Sequence, residues 1–192
     1  MCMLAPCTRR KALAALSLLL VCGGAHALSA PPEVQRELGA ARLQGSGRLR
    51  FFGLLIYDAR LWTAAALTAE TWAQVPLALE LTYARALDGH EIAARSLKEM
   101  RRQGDIDAAS AARWLDAMKA AIPDVRAGDR LTGVYRPDGA LQLFVNSKLH
   151  GELPAGDFAR LFIGIWLSPR TSEPALRHAL LGAAASGTAA NS

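Results

Sequence analysis

The sequence predicts an α+β fold: a large antiparallel sheet packed on one face by a layer of helices. Three observations carry this reading. Runs rich in branched and aromatic residues, one of them alternating cleanly, come first. Two segments with a helical period follow them. A Pro-Asp-Gly turn then joins two more strand-like runs, and apolar helical segments close the chain. There is no internal repeat.

Leu28 to Pro32 is a short lead-in, and Glu33 to Leu43 reads as either a strand or a short helix. Gly45-Ser46-Gly47 marks a tight turn or a bulge. Arg48 to Trp62 is long, aromatic and branched, which predicts one long strand kinked near Gly53. Thr63 to Val75 is small and polar and is expected to be a loop. Leu77 to Ala84 alternates, with Leu77, Leu79, Leu81 and Tyr83 on one face. Asp88, with Glu91 three residues on, has capping-box spacing at the start of a helix. In that helix Ile92, Ser96, Leu97 and Met100 face inward, while Lys98, Arg101 and Arg102 face water. Asp107 opens a second helix with Ala111, Trp114, Leu115 and Met118 on one side, and Pro123 ends it.

Asp129–Tyr135 and Ala140–Val145 are predicted strands around Arg136-Pro137-Asp138-Gly139. Asn146 to Gly151 reads as a further turn, with Glu152-Leu153 returning. Phe158 to Leu167 is apolar nearly all round and should be a buried helix. Ser172 is placed to cap a last helix, with Pro174 in its first turn and Gly182 just past its end. Residues 183–192 are small and polar, the composition of a disordered tail.

The N-terminus points to export. Arg9, Arg10 and Lys11 precede the eleven-residue apolar run Ala12–Cys22, and Ala25-His26-Ala27 supplies a small-x-small cleavage site. The run falls short of the roughly 20 residues a membrane-spanning helix needs. Residues 1–27 therefore read as a signal peptide cleaved after Ala27. Thr8-Arg9-Arg10 loosely resembles a twin-arginine signal, and Leu19-Leu20-Val21-Cys22 a lipobox. The expected location is the periplasm, with no integral membrane span left after cleavage.

Removing this segment changes the charge balance. Three of the 22 basic residues leave with it and none of the 17 acidic ones, so 19 face 17 in the remainder. That near-neutral balance, without a basic stripe interleaved with aromatics, speaks against nucleic-acid binding. Cys2, Cys7 and Cys22 all lie in the signal, which removes disulfides, thiol catalysis and cysteine metal sites from the exported domain. One domain over residues 28–182 is expected.

Local motifs offer little catalytic chemistry. His90, His150 and His178 lack metal-ligand spacing, and no metal or cofactor is expected. Gly45-Ser46-Gly47 is neither a nucleophile elbow nor a dinucleotide loop, because Arg50 occupies the last glycine position. Glu99 and Asp105 read as members of a solvated helix face. Phe51, Phe52, Tyr57 and Trp62 read as core, or as the lining of an apolar ligand cleft.

Several segments in order resemble the bacterial chalcone isomerase-like family. They are Gly45-Ser46-Gly47, Arg50-Phe51-Phe52-Gly53, Tyr57-Asp58-Ala59-Arg60-Leu61-Trp62 and Ser96-Leu97-Lys98-Glu99-Met100. Pro123-Asp124-Val125 with Gly128-Asp129, and Phe162 through Thr171, complete the pattern. The resemblance covers roughly residues 40–182 and implies a large antiparallel sheet, a layer of helices and a cleft between them. In the plant isomerase that cleft cyclises a chalcone, using an Arg on the long strand and a Tyr and an Asn on the following helix. Related plant proteins without isomerase activity bind fatty acids there.

Carried over by position, the Arg falls at Leu49, eight residues before Tyr57. Arg48 and Arg50 flank it, but strand alternation turns both away unless a bulge intervenes. Aligning Leu87-Asp88-Gly89 with the family's Leu-Thr-Gly puts Ile92 at the Tyr position and Glu99 at the Asn position. The resemblance thus implies a cleft without the groups that stabilise oxyanion charge. Three functions fit. One is non-catalytic binding of a small apolar or amphipathic ligand, such as a fatty acid or an aromatic molecule. The second is an isomerase with another residue set, drawn from Arg48, Arg50, Tyr57 and Tyr83. The third is a cell-envelope interaction module whose cleft is filled by its own side chains. The expected cleft residues are Arg48, Arg50, Phe52, Tyr57, Tyr83 and Ile92.

Overall fold

The computed structural model describes residues 28–182. The expected signal peptide, its three cysteines and the expected tail lie outside the described residues. The elements in order are α1 (Pro32–Leu38), β1 (Arg42–Phe51), β2 (Leu54–Thr63), β3 (Leu77–Tyr83), α2 (Gly89–Met100) and α3 (Ala108–Ala121). Then come β4 (Arg130–Tyr135), β5 (Leu141–Val145), β6 (Lys148–Leu153), α4 (Asp157–Leu167) and α5 (Pro174–Leu181). The six strands pair in chain order, each antiparallel to the next, so the sheet is an open meander.

Alternation along the strands gives the sheet two apolar faces. Tyr57, Ala59 and Leu61 of β2 and Leu77, Leu79, Leu81 and Tyr83 of β3 join the main core. Above it lie α2, α3, α4 and α5, which contribute Leu97, Met118, Phe162 and Leu180 to the same core. Trp62, Ala78, Val134 and Phe144 point the other way, and Ala30 with Val34 of α1 covers them. The helix layer is therefore on one face, with the short α1 on the other. Glu33 anchors that helix: its carboxylate accepts from Thr132 Oγ1 at 2.8 Å and from the Arg130 guanidinium at 3.2 Å.

The termini of α2 and α3 follow their caps. Asp88 accepts from the Glu91 backbone N–H at 2.9 Å, and Asp107 from that of Ser110 at 2.9 Å. The start of α2 is tied down further, because Gly89 N donates to Asp124 Oδ1 at 2.9 Å. An isolated bridge between Leu87 and Val125 holds the same corner.

Several local expectations change. Glu33 to Leu43 splits, with α1 ending at Leu38 and β1 beginning at Arg42. Gly45-Ser46-Gly47 is no turn but lies within β1, beside a bulge between Leu43 and Gly45. Its glycines have a packing reason: a Cβ at Gly45 would strike the Ala179 and Leu180 carbonyl groups, and one at Gly47 would strike Leu176. The bare strand lets α5 lie directly on β1.

Arg48 to Trp62 is not one kinked strand but a hairpin. Phe52 (φ 47°) and Gly53 (φ 79°) both take positive φ and reverse the chain, as in a primed two-residue turn. Asn146 (φ 47°) and Ser147 (φ 72°) do the same, so Lys148 onward is a strand rather than a longer turn. Ser172 does not cap α5, whose N-cap residue is Glu173 without a side-chain cap bond. The Thr63–Val75 connection carries one short 3-10 turn, Trp72–Gln74. No described helix is long and apolar enough to cross a membrane.

Candidate functional site

A cavity of about 400 Å³ lies between the sheet and the helix layer, within the roughly 300–1,000 Å³ typical of small-molecule sites. Its floor is the inner face of the strands. Leu79, Leu81 and Tyr83 of β3 line it, with Leu131 and Gly133 of β4 and Leu143 of β5. The roof comes from Ile92 and Ser96 of α2 and from Phe162, Ile163 and Trp166 of α4. These residues face one space for a simple reason. Alternate strand residues share a side, and helix residues three or four apart share a stripe.

A bulge shapes the β1–β2 wall. Leu49 pairs with Tyr57, but Arg50 pairs with Leu55, so Ile56 is the extra residue. Both Ile56 and Tyr57 line the cavity, as do Leu49 and Phe51 across from them. Tyr57 and Tyr83, paired across β2 and β3, pack edge to face with ring centroids 5.7 Å apart. Trp166 Nε1 donates to Tyr57 Oη at 2.9 Å, tying α4 to the sheet. Burial pushes both phenols well above their ordinary pKa of 10 and keeps them neutral. At Tyr57 the Trp166 hydrogen bond and the Arg95 charge oppose that rise, while Tyr83 and the Glu173 carboxylate add to it.

The mouth is polar. Glu91, Arg95 and Glu99 project from α2, and Ser172 and Glu173 from the segment before α5. Arg95 Nη2 lies 2.9 Å from Glu99 Oε1. The same guanidinium stands over the Phe51 ring, 6.0 Å from its centroid. Glu99 is only 7% exposed, so it belongs to the cavity wall and not to the solvated face expected for it. Ser96 spends its hydroxyl proton on the Ile92 carbonyl at 2.8 Å.

Of the six residues expected in the cleft, Tyr57, Tyr83 and Ile92 line the cavity. Arg48, Arg50 and Phe52 lie outside its lining. Strand alternation is the reason for the two arginines: Leu49 and Phe51 face in, so their neighbours face out. Arg48 Nε pairs with Asp58 Oδ1 at 2.7 Å on the solvent side, and Arg50 Nη1 donates to Gly53 O at 3.2 Å. The bulge does not rescue them because the extra residue is on β2. Phe52 sits at the hairpin tip, 90% exposed, and Phe51 is half exposed, so neither is core. Trp62 is buried, but against α1 on the far face.

Arg95, Glu173 and Trp166 also line the cavity and are not among the residues expected there. The spacing of Glu91, Arg95 and Glu99, four residues apart beside Ile92 and Ser96, is the signal that could have found the first. Among the described residues, no group of three or more His, Cys, Asp or Glu is placed to hold a metal ion.

The family model described as chalcone isomerase-like matches residues 27–182. The chain belongs to the chalcone isomerase-like family. An uncharacterized protein of Haemophilus influenzae is 32% identical over 109 residues, which cover 56% of this chain. The match takes in 52% of that protein, so the chain spans about half the length of this curated relative. The crystal structure of a fatty-acid binding protein of Arabidopsis thaliana matches with a TM-score of 0.58 at 13% identity, covering 76% of this chain and 89% of that one. At that identity the likeness is one of fold. In this member of the chalcone isomerase-like family, Leu49, Ile92 and Glu99 all stand on the cavity wall.

Proposed function

We propose that this protein is a non-catalytic binder of a small apolar or amphipathic molecule, a fatty acid or an aromatic compound, held in the sheet–helix cavity. One observation carries the reading. The three positions that the resemblance aligns with the isomerase's Arg, Tyr and Asn all face the cavity, and they hold Leu49, Ile92 and Glu99. Two are apolar and the third is a carboxylate. None can stabilise negative charge developing on a substrate oxygen. Away from the polar mouth the wall is mainly apolar and is preformed, which suits retention of a ligand. The shared fold of the Arabidopsis fatty-acid binding protein supports the same reading.

We further propose that the protein works in the periplasm after cleavage behind Ala27, as the pattern of residues 1–27 suggests. Native mass spectrometry of protein purified from the periplasm tests both parts. The expected result is a chain beginning at Leu28 that carries, or takes up, one fatty acid or aromatic molecule. Recovery only from the cytoplasm with residues 1–27 intact would overturn export. Failure of every such ligand to add mass would overturn binding. Chalcone turnover no faster than in buffer is the expected result in a parallel assay.

A further inference from the structure

The polar end of the cavity constrains what kind of amphiphile it can take. Four residues apart on α2, Glu91, Arg95 and Glu99 form one stripe at the mouth, and Glu173 faces them from the segment before α5. Three carboxylates and one guanidinium therefore line this end, with the Arg102 guanidinium behind Glu99. The lining guanidinium is already committed, with Arg95 Nη2 2.9 Å from Glu99 Oε1. Glu99 has a second oxygen to satisfy. Its Oε2 is buried and accepts no hydrogen bond among the described residues. Arg102 Nε lies 3.6 Å from it, an ion-pair distance but beyond hydrogen-bond reach.

A buried acceptor without a donor is costly, and a ligand that supplies the donor removes that cost. A carboxylate ligand does the opposite. It brings a fourth negative charge into a weakly screened site. At Arg95 it competes with Glu99 for the same guanidinium, and any loss of that pairing leaves a buried carboxylate less well compensated. The wall also carries phenol hydroxyls, which accept as well as donate and so can pair with a ligand hydroxyl. Tyr57 and Tyr83 remain protonated, and Tyr83 Oη has no hydrogen-bond partner among the described residues.

We propose that the cavity prefers an amphiphile whose polar end donates a hydrogen bond and carries no negative charge, a hydroxyl being the simplest such group. The proposal rests on the cavity-binding reading above and narrows it: apolar tail against the sheet, hydroxyl at Glu99, ionised fatty acids disfavoured.

Displacement of a neutral fluorescent probe, N-phenylnaphthylamine, by dodecanol and by dodecanoate tests it at about pH 8, where the carboxyl is ionised. Dodecanol is expected to displace the probe at concentrations about tenfold lower than dodecanoate. Equal or better displacement by dodecanoate would overturn the head-group preference while leaving the cavity as the binding site. No probe binding, with neither compound raising the melting temperature, would overturn the cavity-binding reading itself. Glu99→Gln removes one charge and frees Arg95, so the gap should close to under about threefold. A folded Glu99→Gln protein that keeps the full gap would take the preference away from Glu99. Should that variant not fold, the wild-type comparison decides alone.

Discussion

Tyr57 joins the two walls of the cavity through one hydrogen bond. Its Oη accepts from Trp166 Nε1 at 2.9 Å in a buried setting, and that indole N–H has no other described partner. Tyr57→Phe keeps the ring and removes only the acceptor. The expected loss is about 1–3 kcal/mol, the penalty for stranding a buried donor, read as a lower urea midpoint. A midpoint unchanged from wild type would mean that water replaces the phenol. At the hairpin tip Phe52 shows the opposite economy: it is 90% exposed with φ 47°, a conformation that favours glycine or asparagine. Its one aromatic contact among the described residues is edge to face with Phe51, ring centroids 4.5 Å apart.

Among the elements, α1 makes the sharpest statement about pH. Its Glu33 is buried beneath the sheet's outer face. Burial by itself would raise the carboxyl pKa. The Glu33 backbone N–H, the Thr132 hydroxyl, Arg130 and Ser147 outweigh it, and the value falls below the ordinary 4.5. A depressed carboxyl contributes stability that is present above the unfolded value and lost as pH falls through the folded one. Wild-type protein should therefore lose urea resistance below about pH 4.5. Glu33→Gln should start less stable at neutral pH and show a shallower decline. A parallel decline in the two proteins would remove Glu33 from the explanation. Asp107, held down by the Ser110 backbone and side chain, and Asp129, held down by Asn146 and the Arg126 backbone, act in the same direction in both.

At the scale of the whole molecule, the cavity is space left unfilled between two well-packed layers. A folded chain keeps such a space against the loss of dispersion contacts around it. Ile92 lines the roof and is only partly buried, so Ile92→Trp is expected to fill the cavity from the mouth side. The variant should fold, unfold within roughly 1 kcal/mol of wild type, and bind the probe at least about tenfold more weakly. Wild type, not the variant, should gain stability with ligand, about 2.7 kcal/mol at a hundredfold excess over Kd, read as a higher melting temperature. An Ile92→Trp protein that binds as well as wild type would place the ligand elsewhere.

The sequence by itself determined the order of β3, α2, α3, β4, β5, α4 and α5, the caps at Asp88 and Asp107, the alternating face of β3 and the family. All of these depend on period, capping chemistry and residues close together in the chain. Tertiary structure alone decided where the site's polar groups stand. Arg48 and Arg50 face away because Leu49 pairs with Tyr57 and the bulge falls at Ile56, a matter of register that no single strand records. The hairpin at Phe52-Gly53 was hidden because both of its strands are equally aromatic and branched, so composition shows no break. Glu99 reads as solvated from its charge, yet the cavity wall buries it, because burial depends on what packs opposite. The proposed head-group preference turns on that last fact: a carboxylate one helix turn from Arg95, with one oxygen paired to it and the other accepting no hydrogen bond among the described residues.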